Sequence, residues 1–196
     1  MTMNPAYREK GYLIIEQLIS PELASFLNTQ FQMIRQVDVH GRGDDLVPSS
    51  YAIYGAIPFE SLLASLCGRI SELTGLELVP TYSYARIYDR GATLAKHRDR
   101  PACENSISLA LAYDGDQPWP IHLIDKTGNE VVANLKPVDG MIYRGCECFH
   151  WRDKFQTGTW QAQVFLHYVE KGGPNAAEEF DRRAALGLKL PVKRAI

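Results

Sequence analysis

His97 and Asp99 stand two residues apart in His97-Arg98-Asp99, so on an extended segment the imidazole and the carboxylate leave the chain on the same side. One ring nitrogen and one carboxylate oxygen at that spacing can take two positions on a metal ion. His150, beyond the turn at Asp139-Gly140 and the run Met141 to Tyr143, is the candidate for a third. Two histidines and a carboxylate on one face of an ion leave the opposite positions open, an arrangement suited to iron(II) and to oxygen chemistry. His122 and His167 compete for that third place. His122 lies among Trp119, Ile121 and Leu123, and His167 lies in the apolar run Val164 to Tyr168, where a hydrogen-bonded core histidine is the simpler reading. The pair taken alone also reads as a surface histidine beside a salt-bridging aspartate. Cys146 and Cys148 precede His150 and raise a zinc cluster, but the usual CxxC knuckle with a distant second pair is missing. Small apolar thiols beside a functional loop are the plainer account.

A second group of residues could bind an anion. Alternation puts Tyr82, Tyr84, Arg86 and Tyr88 on one face of a strand and Ser83, Ala85 and Ile87 on the other. That face is aromatic and cationic, which fits a ligand carboxylate or, more blandly, a solvated face with aromatic cross-strand pairs. Arg144 and Arg152 flank His150, and either could anchor an acidic group; a loop ion pair with Asp153 is the alternative for Arg152. Trp151 and Trp160 bracket the segment after His150, where aromatics serve more often as core or rim than as a substrate platform. Arg98, between the two ligands, is expected to face away from the metal.

These residues need elements to hold them. Pro5 to Lys10, stopped by Gly11, predicts a short helix, and Tyr12 to Ile15 a strand. Ser20 caps a helix with Pro21 at its first position and Leu23, Phe26, Leu27, Phe31 and Ile34 at helical spacing. Val37 to Ser50 is polar and glycine-bearing, and reads as a loop that covers a site. Phe59 to Thr74 predicts another helix, ended by Gly75. From Leu76 the texture changes to short β-rich runs: Thr81 to Tyr88, Ile107 to Tyr113, Ile121 to Asp125, Glu130 to Leu135, Met141 to Tyr143 and Gln161 to Val169. The expected organisation is one domain over 1–170, with 1–75 as a buttress and 76–170 as a β core. A polar extension follows over 171–196, in which Ala176 to Leu186 could form one more helix.

Composition narrows the partners. With 196 residues and a formal charge of −2, the chain has neither the basic excess of a nucleic-acid binder nor a polybasic membrane patch. Its apolar runs fall far short of the ~20 residues of a membrane span. The first ten residues lack the features of a signal peptide, so the expected location is cytoplasmic, where four cysteines stay reduced.

The order of these motifs resembles the 2-oxoglutarate- and iron(II)-dependent dioxygenases, in particular the prolyl-hydroxylase-like members. The opening Tyr7 to Ile15 followed by Leu18-Ile19-Ser20-Pro21-Glu22 is similar to the helix, strand, helix entry of that superfamily. Tyr84 to Asp99 resembles its tyrosine-bearing strand leading through a glycine turn to HxD, and Leu135 to Tyr143 resembles the stretch before the distal histidine. The resemblance implies a mainly β fold with flanking helices, the double-stranded β-helix or cupin-like jelly roll. It implies iron held by His97, Asp99 and His150, with 2-oxoglutarate and O2 as cosubstrates, ascorbate as a possible reductant, and succinate and CO2 as co-products. The substrate would be an amino acid, a peptide or protein side chain, or a small metabolite. Tyr88 corresponds to the family's cosubstrate-binding tyrosine.

One departure stands out. The family's cation about nine to eleven residues after the distal histidine is missing, since that window reads Thr159, Trp160, Gln161, with Gln163 beyond. A buried carboxylate needs a partner. Arg86 is the first candidate, Arg144 and Arg152 are second, and Gln161 or Gln163 could add a hydrogen bond. Tyr84 and Trp151, with Arg152, are candidates for substrate contact. The competing readings are a cupin-type metalloenzyme that does not use 2-oxoglutarate and a non-catalytic jelly-roll binding protein.

Overall fold

A computed structural model describes residues 2–38, 43–48 and 50–188. The helices begin and end where local chemistry dictates. Asn4 accepts from the backbone of Ala6 and Tyr7 to open α1 (Pro5–Lys10), and Ser20 Oγ accepts from Leu23 N at 3.2 Å to open α2 (Pro21–Val37). α3 (Ile57–Thr74) starts two residues earlier than predicted, because Pro58 needs no backbone donor in a first turn. It ends at Gly75, whose φ is +70° and where a Cβ would run into the carbonyl of Thr2.

The strands are β1 (Tyr12–Ile15), β2 (Ser50–Tyr54), β3 (Leu78–Asp89), β4 (Leu94–His97), β5 (Asn105–Tyr113), β6 (Ile121–Ile124), β7 (Glu130–Ala133), β8 (Gly140–Tyr143), β9 (His150–Arg152) and β10 (Trp160–Glu170). They form a six-stranded sheet, β1-β8-β5-β10-β3-β2, and a four-stranded sheet, β4-β9-β6-β7, with all pairings antiparallel. This is a double-stranded β-helix. The larger sheet buries Ile87, Ile107, Leu109, Val164 and Leu166 on its outer face with Leu27 and Phe31 of α2 and Phe59, Leu63 and Ile70 of α3. Its inner face is polar for a core: antiparallel register places Tyr88 opposite Gln161, Arg86 opposite Gln163 and Tyr84 opposite Phe165. The helices make a dry outer layer that leaves the inner face free for chemistry.

The N-terminal segment is more than a buttress, since β1 and β2 lie at the two edges of the larger sheet. The predicted helix over Ala176 to Leu186 does not form as drawn. A 3-10 segment over Ala176–Arg182 is broken by Phe180, Asp181 and Arg182 at φ +51°, +54° and +61°. Side-chain partners account for the break: Arg100 binds the Asp181 carboxylate at 2.7 and 2.9 Å, and Tyr54 donates to it at 2.6 Å. Among the described residues no helix is long and apolar enough to cross a membrane.

Candidate metal centre and its cavity

β4 and β9 are four- and three-residue strands that pair antiparallel with His97 directly opposite His150. Their rings lie 4.3 Å apart, centroid to centroid. Asp99 follows β4, and its N–H donates to the Gly145 carbonyl at 2.9 Å. From there Asp99 Oδ1 stands 3.6 Å from His97 Nε2 and 3.5 Å from His150 Nε2. Gly145 allows this approach, because a Cβ there would overlap Asp99 Oδ2 and the Cys103 carbonyl.

Both rings are held from behind. His97 Nδ1 lies 2.8 Å from the Ala95 carbonyl and His150 Nδ1 lies 3.1 Å from the Cys148 carbonyl, contacts that need the proton on Nδ1 and direct each Nε2 lone pair at Asp99. Ser106 Oγ lies 3.1 Å from Asp99 Oδ2. Burial pushes the Asp99 carboxyl up, but the His150 and His97 imidazoles beside it outweigh burial and lower it on balance. His97 is raised by Asp99 in turn, against the opposing effect of burial. A divalent cation placed among these groups would meet both Nε2 atoms and the Asp99 carboxylate. Donors about 2.1 Å from one ion at right angles stand about 3 Å apart, so the Asp99 oxygen is within about half an ångström of that spacing from each ring, and the three ligand atoms lie within 4.8 Å of one another.

The donors open onto a cavity of about 190 Å³ lined by Asp44, Leu46, Tyr82, Tyr84, Arg86, Tyr88, Leu94, His97, Asp99, Cys103, Ile121, Tyr143, His150, Phe165 and His167. Arg86 is 4% exposed and lies between the rings of Tyr84 and Tyr88, with its guanidinium carbon 5.3 and 5.4 Å from their centroids. Its partner is Asp44: Arg86 Nη1 donates to Oδ1 at 3.1 Å, Nη2 donates to Oδ2, and Tyr84 Oη donates to Oδ2 at 2.8 Å. Burial pushes the Asp44 carboxyl up, but the Arg86 hydrogen bond and charge leave it lowered on balance. Of the segment predicted to cover a site, Val37 to Ser50, residues 39–42 and 49 lie outside the described residues. Its described part delivers Asp44 and Leu46 to the cavity.

The structure brings His97, Asp99, His150, Tyr84, Arg86 and Tyr88 together, keeps His167 in the same cavity wall, and sets the other candidates apart. Arg144 does not reach the cavity, because its guanidinium is taken by Glu147 and Glu170, each at 2.7 Å. Gln161 accepts from Trp119 N at 3.2 Å, and Gln163 donates to the Leu109 carbonyl at 2.8 Å while accepting from Arg152 Nη2 at 3.1 Å and from Gln161 at 2.6 Å. These amides lie behind the cavity wall. Arg152 is fully buried against Trp119 and Tyr88, donates to the Trp119 carbonyl, and makes no ion pair with Asp153, whose carboxylate lies instead 3.5 Å from His122. Burial lowers its pKa. Trp151 alternates to the outer face of its sheet and stacks on His122 at 5.1 Å, and Arg98 stands over Phe149 at 4.1 Å. His122 therefore lies outside the cavity. Cys146 donates to the Arg100 carbonyl and Cys148 lies against the Gly11 carbonyl, so neither gathers with His150.

Asp44, Gly145, Ser106 and Cys103 were not singled out by sequence. Only Ser106 carried a usable signal: it alternates with Ser108 on a strand whose intervening residues are apolar.

No family model matches the chain, and no curated protein sequence matches it. Solved structures do. SnoN from nogalamycin biosynthesis, an epimerase determined with Fe3+, α-ketoglutarate and nogalamycin RO, is 11% identical with a TM-score of 0.70 over 84% of this chain and 80% of its own. A Pseudomonas putida prolyl-4-hydroxylase is 13% identical with a TM-score of 0.67 over 84% of this chain and 95% of its own. A Trichoplax adhaerens prolyl hydroxylase, bound to a peptide of the hypoxia inducible factor oxygen degradation domain, is 14% identical with a TM-score of 0.69 over 88% of each chain. This chain has the double-stranded β-helix fold shared by these 2-oxoglutarate-dependent oxygenases.

Proposed function

We propose that this protein is an iron(II)- and 2-oxoglutarate-dependent oxygenase that oxidises a C–H bond of a small molecule or a peptide. One observation carries the reading: two Nε2 lone pairs, each fixed by a backbone carbonyl behind the ring, converge on Asp99 at the wall of an accessible cavity. When bound, iron with 2-oxoglutarate and O2 supplies the oxidation, with succinate and CO2 as co-products. His97, Asp99 and His150 would hold the metal, Ser106 would orient the carboxylate, and Tyr143, 3.5 Å from His150 Nε2, would close the inner side. Arg86 would pair with the far carboxylate of 2-oxoglutarate with help from Tyr84 and Tyr88, and Asp44 marks where a carboxylate sits on that guanidinium. Leu94, Ile121 and Phe165 add apolar wall to the chamber and would limit water around the reacting group.

The test is anaerobic reconstitution with iron(II), followed by 2-oxoglutarate and air. One equivalent of iron and 2-oxoglutarate-dependent succinate are expected, and His97→Ala, Asp99→Ala or His150→Ala should lose both. Full metal content without succinate would favour the second reading, a metalloenzyme on the same scaffold that leaves Arg86 with Asp44. The window after His150, which holds no cation, is the feature in its favour.

A further inference from the structure

Behind the first donor set the cavity carries another. Asp99, Cys103 and His167 each present a ligand atom, and these atoms lie within 4.8 Å of one another. Cys103 is 3% exposed and His167 5%, and both line the cavity. Neither has a part in the function proposed above.

The surroundings hold these groups in place. Cys103 ends the 3-10 turn Pro101–Cys103, and its Sγ stands 3.0 Å from Tyr82 Oη. His167 sits at a register shift in β10 between Leu166 and Tyr168, the kind of irregularity that re-aims a side chain. Ser106 Oγ lies 2.9 Å from His167 Nδ1, and the Tyr82 ring packs on the imidazole at 4.5 Å. The chemistry of the set differs from that of the first. Sulfur, nitrogen and oxygen together suit zinc(II), whereas two imidazoles and a carboxylate suit iron(II). Tetrahedral ligands at zinc stand roughly 3.5 Å apart, so the atoms must close by about an ångström.

We propose that Asp99, Cys103 and His167 form a zinc(II) site that overlaps the iron site. On binding, the thiol yields its proton to solvent and the thiolate takes its place on the metal. Because one carboxylate serves both sets, filling either weakens the other. Zinc then competes with iron from an adjacent position, and does not need the iron ligands His97 and His150.

The His97→Ala/His150→Ala double variant isolates the second set. Cobalt(II), the spectroscopic stand-in for zinc, should bind at one equivalent with a thiolate-to-cobalt absorption in the near ultraviolet. Adding Cys103→Ser should abolish that absorption and weaken zinc binding, followed by calorimetry, at least ~30-fold. Circular dichroism and thermal melting confirm that each variant is folded; if the double variant is not, the same comparison in a His97→Gln single variant carries the test. Absence of the thiolate band, or equal zinc affinity with and without Cys103, overturns the proposal. Failure of the wild-type chain to use iron and 2-oxoglutarate would leave these spectra unchanged, so the two readings fall separately.

Discussion

Asp44→Asn should tighten 2-oxoglutarate binding, an unusual direction for a substitution in a ligand cavity. Asp44 holds Arg86 through both carboxylate oxygens while its own side chain is 38% exposed, against 5% for Arg86. A charge-assisted, two-point pair to a buried guanidinium is worth about 2–3 kcal/mol. Solvent screening on the Asp44 side reduces that to about 1–2 kcal/mol. An incoming carboxylate must displace this pair, so its removal should lower the 2-oxoglutarate Kd by about 5- to 30-fold. The assay is anaerobic calorimetry on the manganese(II)-loaded protein, which binds without turnover. Arg86→Gln should weaken binding at least ~30-fold, and Asp44→Asn in that background should give no gain, because the two substitutions act on one interaction. If Asp44→Asn leaves the affinity unchanged or weakens it, Arg86 does not receive the cosubstrate.

Gly145→Ala should cost at least ~10-fold in metal affinity, read by chelator competition, because the new methyl overlaps Asp99 and displaces a ligand. Burial lowers the His167 pKa from its ordinary 6.5 to about 4. The unfolded chain therefore takes up a proton before the folded one does, and stability should fall as pH drops from about 6.5 to about 4, by up to about 3 kcal/mol. His167→Gln should flatten denaturant-derived stability across that window; an unchanged slope would place the acid sensitivity elsewhere. Glu60→Ala should cost about 3–5 kcal/mol in chemical denaturation, since it strands Arg183, which binds the Glu60 carboxylate at 3.0 and 3.2 Å with both side chains buried.

Long elements were legible because their signals are long. α2 is marked by Ser20, Pro21 and five apolar positions, and β3 by an alternation that assigns Arg86 and Tyr88 to one face from the sequence alone. The strands that carry the proposed metal ligands gave no such signal. Leu94-Ala95-Lys96-His97 and His150-Trp151-Arg152 are too short and too polar for periodicity, and they are strands because each completes the other across the smaller sheet. His97, Asp99 and His150 were singled out by chemistry and spacing instead. Asp44 was invisible for a different reason: its role arises from a contact 42 residues away in sequence, from within a segment whose pattern says only loop. Arg144 and Arg152 show the converse. Both are near His150 in sequence, yet Glu147 and Glu170 claim one and the interior claims the other.

The His97–His150 pairing ties the centre to the folding of the smaller sheet. In that sheet β4 and β9, 53 positions apart at His97 and His150, are joined by two matched residue pairs, Leu94 with Arg152 and His97 with His150. An ion gripping both imidazoles would act as a clip across that seam, closing a long loop whose entropy the short ladder can barely offset. Unfolding of β4 and its neighbours is therefore coupled to ion release, and saturating the centre at 100 times its Kd should stabilise the folded chain by about 2.7 kcal/mol. Amide exchange along Leu94 to His97 should then slow when the ion is present, while exchange in α3 should follow only the global term.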